Sequence, residues 1–341
     1  MCCSISSFSY IMNYGFPYPI YKRQQIIELV NGLARAHVPF LFVIDYHAQN
    51  GYVIKLDELD QEFVRFELNG SVTQMPDNHS HFHWEATPVA YDSFVGKFDE
   101  VVSQIKLGNS FLTNLTQPTS ISTNLTLLDY YNLGQAKYKL WMKDQFVVLS
   151  PETFVKIEGG KISSFPMKGT IDASLPDAES IILNDPKEKA EHATIVDLIR
   201  NDLSLVASDV EVQRYRYVEK ITTHQSSLLQ VSSEITGTLP DDYLSQLGDI
   251  LFSMLPAGSI CGAPKQKTLE IIDKVEEYAR GFYTGVCGCF DGQNLDSAVM
   301  IRFLEQTEGG LVYKSGGGIT AQSEARKEYE ELIQKIYVPV C

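Results

Sequence analysis

The sequence predicts a large protein of mixed α and β structure, in which several strands are joined as hairpins. The chain has 341 residues, of which 44% are hydrophobic, enough to bury one large core or two closely packed ones. Amphipathic helical segments alternate with short apolar runs of strand length. The pair Gly159-Gly160 separates two such runs as a hairpin turn would.

The charge balance is acidic, with a formal net charge of −15 and a pI near 4.9. No run of Lys and Arg suggests a nucleic-acid surface, so nucleic acid is not expected as a partner. The six cysteines form no CxxC pair, which argues against a zinc site or a disulfide framework and favours reduced thiols in the cytoplasm. We see no secretory leader and no apolar stretch of about 18 residues, so no membrane span is expected.

The first 85 residues predict one helix, three strands and a polar segment. The helix covers 22–36, and the strands cover 40–46, 52–55 and 63–68. His79, His81 and His83 alternate, which on a strand would place them on one face. Because no cysteine or group of carboxylates lies nearby, a solvated polar segment is favoured over a metal site.

The next segment, up to residue 150, predicts two helices and two strands. A helix over 91–107 has an apolar face at the helical spacing. A strand over 111–116, a helix over 125–140 and a strand over 146–150 follow it.

Lys168 follows Pro166 in a segment that predicts a turn able to aim one side chain. Pro166 fixes one backbone angle, and Gly169 permits conformations that other residues resist. An aimed lysine can anchor an anion or, when its amine is neutral, act as a nucleophile, whereas the alternative is a solvated surface lysine. Hairpin pairing could bring Glu152 beside it, either for proton exchange or as an ordinary surface ion pair.

A strong helix is predicted over 187–201. Asp185 can cap it, and Pro186 suits its first position. Glu188 and Glu191 are three residues apart and share a helix face. Capping explains Glu188, but Glu191 at the edge of the apolar stripe needs a partner.

A second helix, over 324–336, carries Glu328, Glu331 and Lys335 on one face. If the two helices face each other, four carboxylates would repel one another unless a divalent cation lay among them. Ligands that are all oxygen favour Mg²⁺ over zinc. Two separate solvated acidic faces are the alternative.

Three further features favour an anion-binding site. The loop 255–265 contains two glycines and opens a helix over 264–278, where backbone N–H groups favour anions. Arg302 ends an apolar run, and an arginine inside a sheet needs a carboxylate from the protein or a ligand. The triplet Gly316-Gly317-Gly318 follows a strand and could approach a ligand closely or form an anion-binding nest.

Taken together and in this order, the motifs resemble those of the chorismate-utilising enzymes, and within that family those of the aminodeoxychorismate synthases. The resemblance covers about residues 90–337. It rests on seven motifs: Ser150-Pro151-Glu152, Pro166-Met167-Lys168-Gly169-Thr170, the stretch from Ala190-Glu191 to Asn201-Asp202, Gly258-Ser259 through Pro264-Lys265, Asp296 through Arg302, Gly316-Gly317-Gly318-Ile319 and Glu328-Tyr329-Glu330-Glu331.

The resemblance implies an α+β fold in which two large antiparallel β-sheets pack face to face, with helices outside and the site between the sheets. It implies that residues 86–341 form the chorismate-binding catalytic domain. Residues 1–85 would be a shortened N-terminal part of the same α+β domain.

The resemblance also implies roles for individual residues. Lys168 would attack C2 of chorismate and expel the C4 hydroxyl, with Glu152 as general base and acid. Ammonia would then add at C4 and displace the lysine, giving 4-amino-4-deoxychorismate for para-aminobenzoate and folate biosynthesis. Mg²⁺ would be held by Glu191 and Glu331, supported by Glu188 and Glu328. The implied substrate contacts are Thr170, Ser259, Tyr283, Arg302, Gly316, Gly317, Gly318 and Lys335.

Two positions distinguish this chain from other members of the family that it resembles. Anthranilate synthases typically carry alanine where Lys168 stands. Isochorismate and salicylate synthases carry a water-activating lysine where this chain has Leu112. The alternatives to aminodeoxychorismate formation are these two reaction types and a non-catalytic homologue that binds an anion. The retained Lys168, Glu152 and glutamate pairs argue against the non-catalytic homologue.

Two departures and one absence complete the comparison with the family pattern. Gln230 stands where many relatives have histidine, so we assign it no acid–base role. The tryptophan-pocket motif of longer relatives is not found. No glutaminase segment is evident either, so we expect a separate glutamine amidotransferase subunit to supply ammonia.

Overall fold

A computed structural model describes residues 15–68, 83–222 and 227–338 of the protein. These residues form two large antiparallel sheets and eight α-helices. The strands of the first sheet are β1 (Tyr21–Lys22), β2 (Phe40–Ile44), β3 (Asn50–Lys55), β9 (Thr153–Glu158), β10 (Lys161–Ser164), β11 (Met167–Asp172), β12 (Ser208–Thr222), β13 (Ser227–Thr238), β15 (Val286–Phe290) and β16 (Leu295–Val299).

The second sheet contains the remaining strands. They are β4 (Val64–Leu68), β5 (Trp84–Thr87), β6 (Leu112–Thr123), β7 (Tyr138–Met142), β8 (Phe146–Ser150), β14 (Gly262–Ala263), β17 (Phe303–Thr307) and β18 (Gly310–Ile319). The helices are α1 (Arg23–Arg35), α2 (Tyr91–Lys106), α3 (Leu127–Leu133), α4 (Ala178–Asn184), α5 (Pro186–Ser204), α6 (Leu247–Met254), α7 (Lys265–Val275) and α8 (Ala325–Gln334).

The strand order brings together strands that are far apart in the sequence. The first sheet runs β1-β3-β2-β15-β16-β9-β10-β13-β11, with β12 also paired to β13. The second runs β14-β6-β18-β17-β8-β7-β4, with β5 also paired to β6. The N-terminal strands therefore share a sheet with strands from the C-terminal third of the chain. The division at residues 85 and 86 stays a prediction.

The two sheets pack face to face over a shared apolar core. That core includes Val43 and Ala298 from the first sheet and Leu140, Phe146 and Phe303 from the second, all buried. A second cluster joins the outer face of the first sheet to α1, α5 and α6. A third and a fourth join the second sheet to α3 and to α2, α7 and α8. Burial of the apolar side chains in these four clusters is the main favourable contribution to the free energy of folding.

The helix predicted over 125–140 is wrong in its second half. Helix α3 ends at Leu133, and Tyr138–Met142 forms β7, which pairs with β4 and β8. Tyr138, Leu140 and Met142 all face the core between the sheets, while Trp141 packs on the opposite side. This period of two belongs to a strand. The strand predicted over 111–116 is also longer, since β6 continues to Thr123.

Some predictions concern residues that the structure does not describe. His79 and His81 lie outside the described residues, as do Cys2, Cys3 and Cys341. Within the described part of the chain, Cys261, Cys287 and Cys289 are free thiols. No helix there is long and apolar enough to cross a membrane.

Candidate functional site

The glycine triplet forms a stretch of strand without side chains, and the candidate residues lie around it. Gly316, Gly317 and Gly318 lie inside β18 and pair with β6, so they do not follow the strand, and the anion-binding nest suggested from the sequence is wrong. A Cβ built on Gly318 would lie 3.6 Å from Lys168 Nζ. One built on Gly317 would lie 3.7 Å from Glu331 Oε1 and 3.8 Å from Lys335 Nζ. The absence of side chains therefore leaves room for the amines and carboxylates.

Lys168 lies in a strand and not in a turn. It belongs to β11, whose pairing with β13 shifts register between Met167 and Thr170, and Gly169 has a φ of +80° at this irregularity. A left-handed φ favours glycine. A Cβ there would also lie 2.9 Å from Glu188 Oε2, so glycine is needed both for the backbone and for this carboxylate. The Lys168 side chain is 27% exposed, and its Nζ lies 3.3 Å from Glu191 Oε2.

Glu152 is not the hydrogen-bond partner of Lys168, contrary to the expectation from hairpin pairing. It lies between β8 and β9, and β10 and β13 separate β9 from β11 in the sheet. Its Oε1 accepts a hydrogen bond of 2.5 Å from Ser259 Oγ. Burial raises the pKa of Glu152, while the Ser259 hydrogen bond and the charge of Lys168 oppose this shift. Lys168 thus acts on Glu152 through its charge, without direct contact.

The N-terminus of α5 forms as the sequence predicts. The Asp185 side chain accepts a hydrogen bond of 2.9 Å from the Glu188 backbone N–H, and Pro186 occupies the first helical turn. This cap starts the helix so that Glu188 and Glu191 face β11 and α8. Burial raises the pKa of Glu188, and the nearby Glu191 carboxylate adds to this shift.

Three lysines form ion pairs with three of the four glutamates that the two helices carry. Lys168 pairs with Glu191, and Lys335 Nζ lies 2.6 Å from Glu331 Oε1. Lys187 Nζ lies 3.8 Å from Glu191 Oε1 and 3.7 Å from Glu328 Oε1, and so joins α5 to α8. Sequence reasoning missed Lys187, although its position four residues before Glu191 was a usable signal.

The pKa values of Glu328 and Glu331 on α8 shift in opposite directions. Burial raises the pKa of Glu328, whose side chain is 4% exposed. Burial also opposes ionisation of Glu331, but the charge and hydrogen bond of Lys335 outweigh it and hold the pKa of Glu331 below its usual range. Glu328 Oε1 is buried and has no hydrogen-bond partner. A buried carboxylate oxygen without a hydrogen bond is costly unless a ligand or cation satisfies it.

The glutamates fit Mg²⁺ by their chemistry but do not form a ready-made metal cage. Across residues 15–68, 83–222 and 227–338, no three His, Cys, Asp or Glu side chains are close enough to hold a metal ion as they stand. The donors are nevertheless all carboxylate oxygens, which Mg²⁺ prefers, and the buried Oε1 of Glu328, which accepts no hydrogen bond, lies in the cluster beside Lys187. Glu188, Glu191, Glu328 and Glu331 are therefore candidates for holding the ion.

Arg302 lies at the apolar edge of the site with no carboxylate partner. Among the described residues no Asp or Glu oxygen lies within 4.0 Å of its guanidinium, although the sequence suggested a protein carboxylate or a ligand. Its Cζ lies 4.9 Å from the Tyr337 ring centre, and Nη2 lies 3.4 Å from the Tyr337 hydroxyl. The guanidinium thus stacks on the Tyr337 ring, and its N–H groups can still donate hydrogen bonds to an anion.

The remaining predicted contacts differ in their accessibility. Tyr283 is 3% exposed, and burial raises its pKa. Lys335 Nζ also donates to the Gly316 carbonyl at 3.2 Å, whereas Thr170 is exposed on β11. Gln230 donates to Met167 Sδ at 2.9 Å, which links it to the residue before Lys168.

A buried ion pair behind Ser259 was not predicted. Lys265 Nζ lies 2.8 Å from both carboxylate oxygens of Asp202 and 2.9 Å from the Met254 carbonyl. A Cβ on Gly258 would lie 2.9 Å from Asp202 Oδ2. Asp202 therefore packs against the residue that precedes Ser259, and both Asp202 and Ser259 line a cavity of about 30 Å³ together with Glu152.

The sequence profile of the chorismate binding enzymes matches residues 34–340. The chain belongs to the chorismate-binding enzymes. An uncharacterised PabA-like protein of Pasteurella multocida is 47% identical over 319 residues, which cover 92% of this chain and 98% of that protein. Aminodeoxychorismate synthase component 1 of Bacillus subtilis is 30% identical over 301 residues, 83% of this chain and 62% of the relative.

A solved structure supports the fold of this chorismate-binding enzyme. The menaquinone-specific isochorismate synthase of Escherichia coli superposes with a TM-score of 0.69, at 15% sequence identity. The match covers 92% of this chain and 80% of that structure. At this identity the likeness concerns the two-sheet fold alone.

Proposed function

We propose that this chorismate-binding enzyme converts chorismate and ammonia to 4-amino-4-deoxychorismate, as an aminodeoxychorismate synthase component I. The observation that supports this most is the place of Lys168, whose amine lies over the Gly318 backbone and 3.3 Å from Glu191. The Leu112 methyl carbon Cδ1 faces the same glycine, 3.0 Å from a Cβ built there. This position supports a role for the Lys168 amine as the nucleophile, and an apolar group stands where water-adding relatives are expected to have a lysine.

The proposed chemistry replaces the C4 hydroxyl of chorismate by an amino group in two displacements, so that ammonia is consumed and water is released. The neutral Lys168 amine forms a bond to C2 of chorismate while the C4–O bond breaks, and the hydroxyl leaves as water after taking a proton. Ammonia then forms a bond to C4 while the bond between Lys168 and C2 breaks, which restores the lysine. Glu152 donates a proton to the leaving hydroxyl and accepts one from the Lys168 amine, because burial raises its pKa toward the range where it can both accept and donate.

Cationic and polar groups around this centre suit a substrate with two carboxylates. Arg302 has a guanidinium without a protein carboxylate, and Lys335 lies beside the glycine triplet. Glu191 and Glu331, with Glu188 and Glu328, would hold Mg²⁺. When bound, the ion would supply positive charge to a substrate carboxylate. The protein groups orient the ring and keep Lys168 close to it.

We further propose that ammonia comes from a separate glutamine amidotransferase. No glutaminase segment is recognisable in the sequence. The purified chain should use ammonium salt with chorismate and Mg²⁺, and should use glutamine only after an amidotransferase is added. Glutamine hydrolysis by the chain alone would contradict the two-subunit arrangement.

The covalent step provides the decisive experiment. Wild type and Lys168→Ala are mixed with chorismate and Mg²⁺ without ammonia, and intact mass and peptide mass are recorded. The wild type should gain a chorismate-derived mass on the peptide that contains Lys168, whereas Lys168→Ala should not.

Lys189→Ala serves as the matched control. This lysine lies on α5 in an exposed position and should leave the adduct unchanged. With ammonium salt added, the product mass should be that of 4-amino-4-deoxychorismate. If no adduct forms and Lys168→Ala makes this product at the wild-type rate, Lys168 is an anion anchor and the covalent mechanism fails.

A further inference from the structure

Lys187 lies between the two helices that carry the glutamate pairs. Its Nζ is 3.8 Å from Glu191 Oε1 on α5 and 3.7 Å from Glu328 Oε1 on α8. Its charge is attracted to all four members of the cluster, including Glu188 and Glu331. No other lysine on α5 among the described residues forms an ion pair with this cluster.

The contact with Glu328 has an unusual form. Glu328 Oε1 is buried and accepts no hydrogen bond. Lys187 Nζ lies 3.7 Å from this oxygen, which is longer than the length of a hydrogen bond. Lys187 therefore compensates the charge of this oxygen without satisfying its hydrogen-bonding capacity. A smaller and more highly charged cation could do both, because it could approach the oxygen directly.

Lys187 is also free to leave this position. Its side chain is 48% exposed, whereas Glu191 and Glu328 are 13% and 4% exposed. A lysine ammonium is a compact charge on a flexible stem, so it can turn into solvent while the carboxylates stay in place. Glu191 and Glu328 are thus held in place, whereas the charge of Lys187 can move away from them.

We propose that Lys187 is a built-in counter-cation, which neutralises the carboxylate cluster in the metal-free protein and is displaced when a divalent cation binds. Lys187 and Mg²⁺ then compete for Glu191 and Glu328. Competition by a tethered charge lowers the observed affinity for the ion. This inference rests on the metal-binding role assigned to the four glutamates under the proposed function.

The test is a metal titration that involves no turnover. Metal-free wild type, Lys187→Met and Lys189→Met are titrated with MgCl₂ by calorimetry, without chorismate or ammonia. The control is matched, since Lys189 is on the same helix, loses the same charge and contacts Asn184 Oδ1 at 3.3 Å instead of the cluster. Lys187→Met should bind Mg²⁺ roughly fivefold more tightly than wild type, a modest factor because the lysine is half exposed.

Thermal unfolding in chelator provides a second measurement. Without metal, Lys187→Met should unfold at a lower temperature than Lys189→Met, because the carboxylate cluster loses one of its three lysine counter-charges. Mg²⁺ should raise the unfolding temperature of Lys187→Met by more than it raises that of the control.

Equal or weaker Mg²⁺ binding by Lys187→Met, compared with Lys189→Met, would overturn the competition. Failure of all three proteins to bind Mg²⁺ would overturn both the inference and the metal set. Neither result bears on the covalent step, which the Lys168 adduct experiment decides separately. Conversely, competitive metal binding without an adduct would leave Lys187 as the counter-cation of a protein with a different reaction.

Discussion

The Ser259 hydroxyl donates a hydrogen bond of 2.5 Å to Oε1 of Glu152. The two residues are 107 positions apart in the chain, and the bond joins the loop before α7 to the segment between β8 and β9. Burial raises the pKa of Glu152, and this hydrogen bond acts against the shift because it stabilises the carboxylate.

Ser259→Ala should therefore move the acidic limb of the pH profile to higher pH. Without the hydroxyl the Glu152 carboxylate is less stable, its pKa rises further, and a higher pH is needed before it can accept a proton. The measurement is the rate of Lys168 adduct formation as a function of pH. Ser253→Ala, an exposed serine on α6 that donates to the Asp249 carbonyl, is the control. Coincident profiles for both variants would mean that Ser259 does not tune Glu152.

Removal of one partner of the Lys265–Asp202 pair should destabilise the protein, because the pair is largely buried. Its side chains are 20% and 10% exposed. Lys265→Met would leave Asp202 buried without a counter-charge, which typically costs about 3 kcal/mol. Urea unfolding measures the loss, and Lys267→Met is the control, since its ion pair with Glu270 is about half exposed and should change stability by less than about 0.5 kcal/mol.

The stability deficit of Lys265→Met should depend on pH with a definite sign. Burial already raises the pKa of Asp202, and the charge of Lys265 opposes this shift. Without Lys265 the folded-state pKa rises further above the unfolded value. The deficit is then largest near neutral pH and shrinks as the solution is acidified and Asp202 takes a proton. A deficit that stays constant with pH would show that the cost comes from lost packing.

Local signals in the sequence predicted the parts of the fold that depend on neighbouring residues. Asp185 and Pro186 define the start of α5 because a cap and a first-turn proline act within one helical turn. The hairpin at Gly159-Gly160 likewise needs only its own two strands. The wrong helix over β7 has a non-local cause. Its residues were predicted as helix from their local pattern, but their strand conformation depends on pairing with β4 and β8, which lie elsewhere in the second sheet.

The site was predicted as a set of residues but not as a set of contacts. The glycine triplet suggested close approach, yet its extended conformation follows from pairing with β6. Hairpin pairing suggested that Glu152 could lie beside Lys168, whereas the hydrogen-bond partner of Glu152 is Ser259 and the ion-pair partner of Lys168 is Glu191. These contacts depend on how α5 and the loop before α7 pack on the first sheet, and spacing along the chain carries no information about that packing.

The metal-binding role of the glutamates can be tested at Glu191. Glu191→Gln keeps the shape of the side chain but removes one anionic ligand, so we expect a folded protein that loses most turnover and at least about tenfold in Mg²⁺ affinity. Thermal unfolding with and without MgCl₂ gives a readout that does not depend on catalysis. Glu330→Gln is the control, because Glu330 is paired with Arg326 on the exposed side of α8. Full activity of metal-stripped wild type in chelator would exclude the metal.

Arg302 is held for a substrate anion by the ring of Tyr337. Its guanidinium rests on the Tyr337 ring at 4.9 Å, and the hydrogen bond to the Tyr337 hydroxyl is long, at 3.4 Å. Stacking on the ring, more than this hydrogen bond, should therefore fix the arginine. Arg302→Met removes the charge, whereas Tyr337→Phe keeps the ring and removes only the hydroxyl.

Binding of chorismate separates the two contributions. Titrations in a Lys168→Ala background prevent the covalent step and report affinity alone. Arg302→Met should weaken binding by about 30-fold, because a charge-assisted hydrogen bond to a carboxylate contributes on the order of 2 kcal/mol. Tyr337→Phe should weaken it by less than about threefold, since the ring face remains. If Arg302→Met binds chorismate as tightly as the background protein, the substrate carboxylate lies elsewhere, and Lys335 becomes the cation to test next.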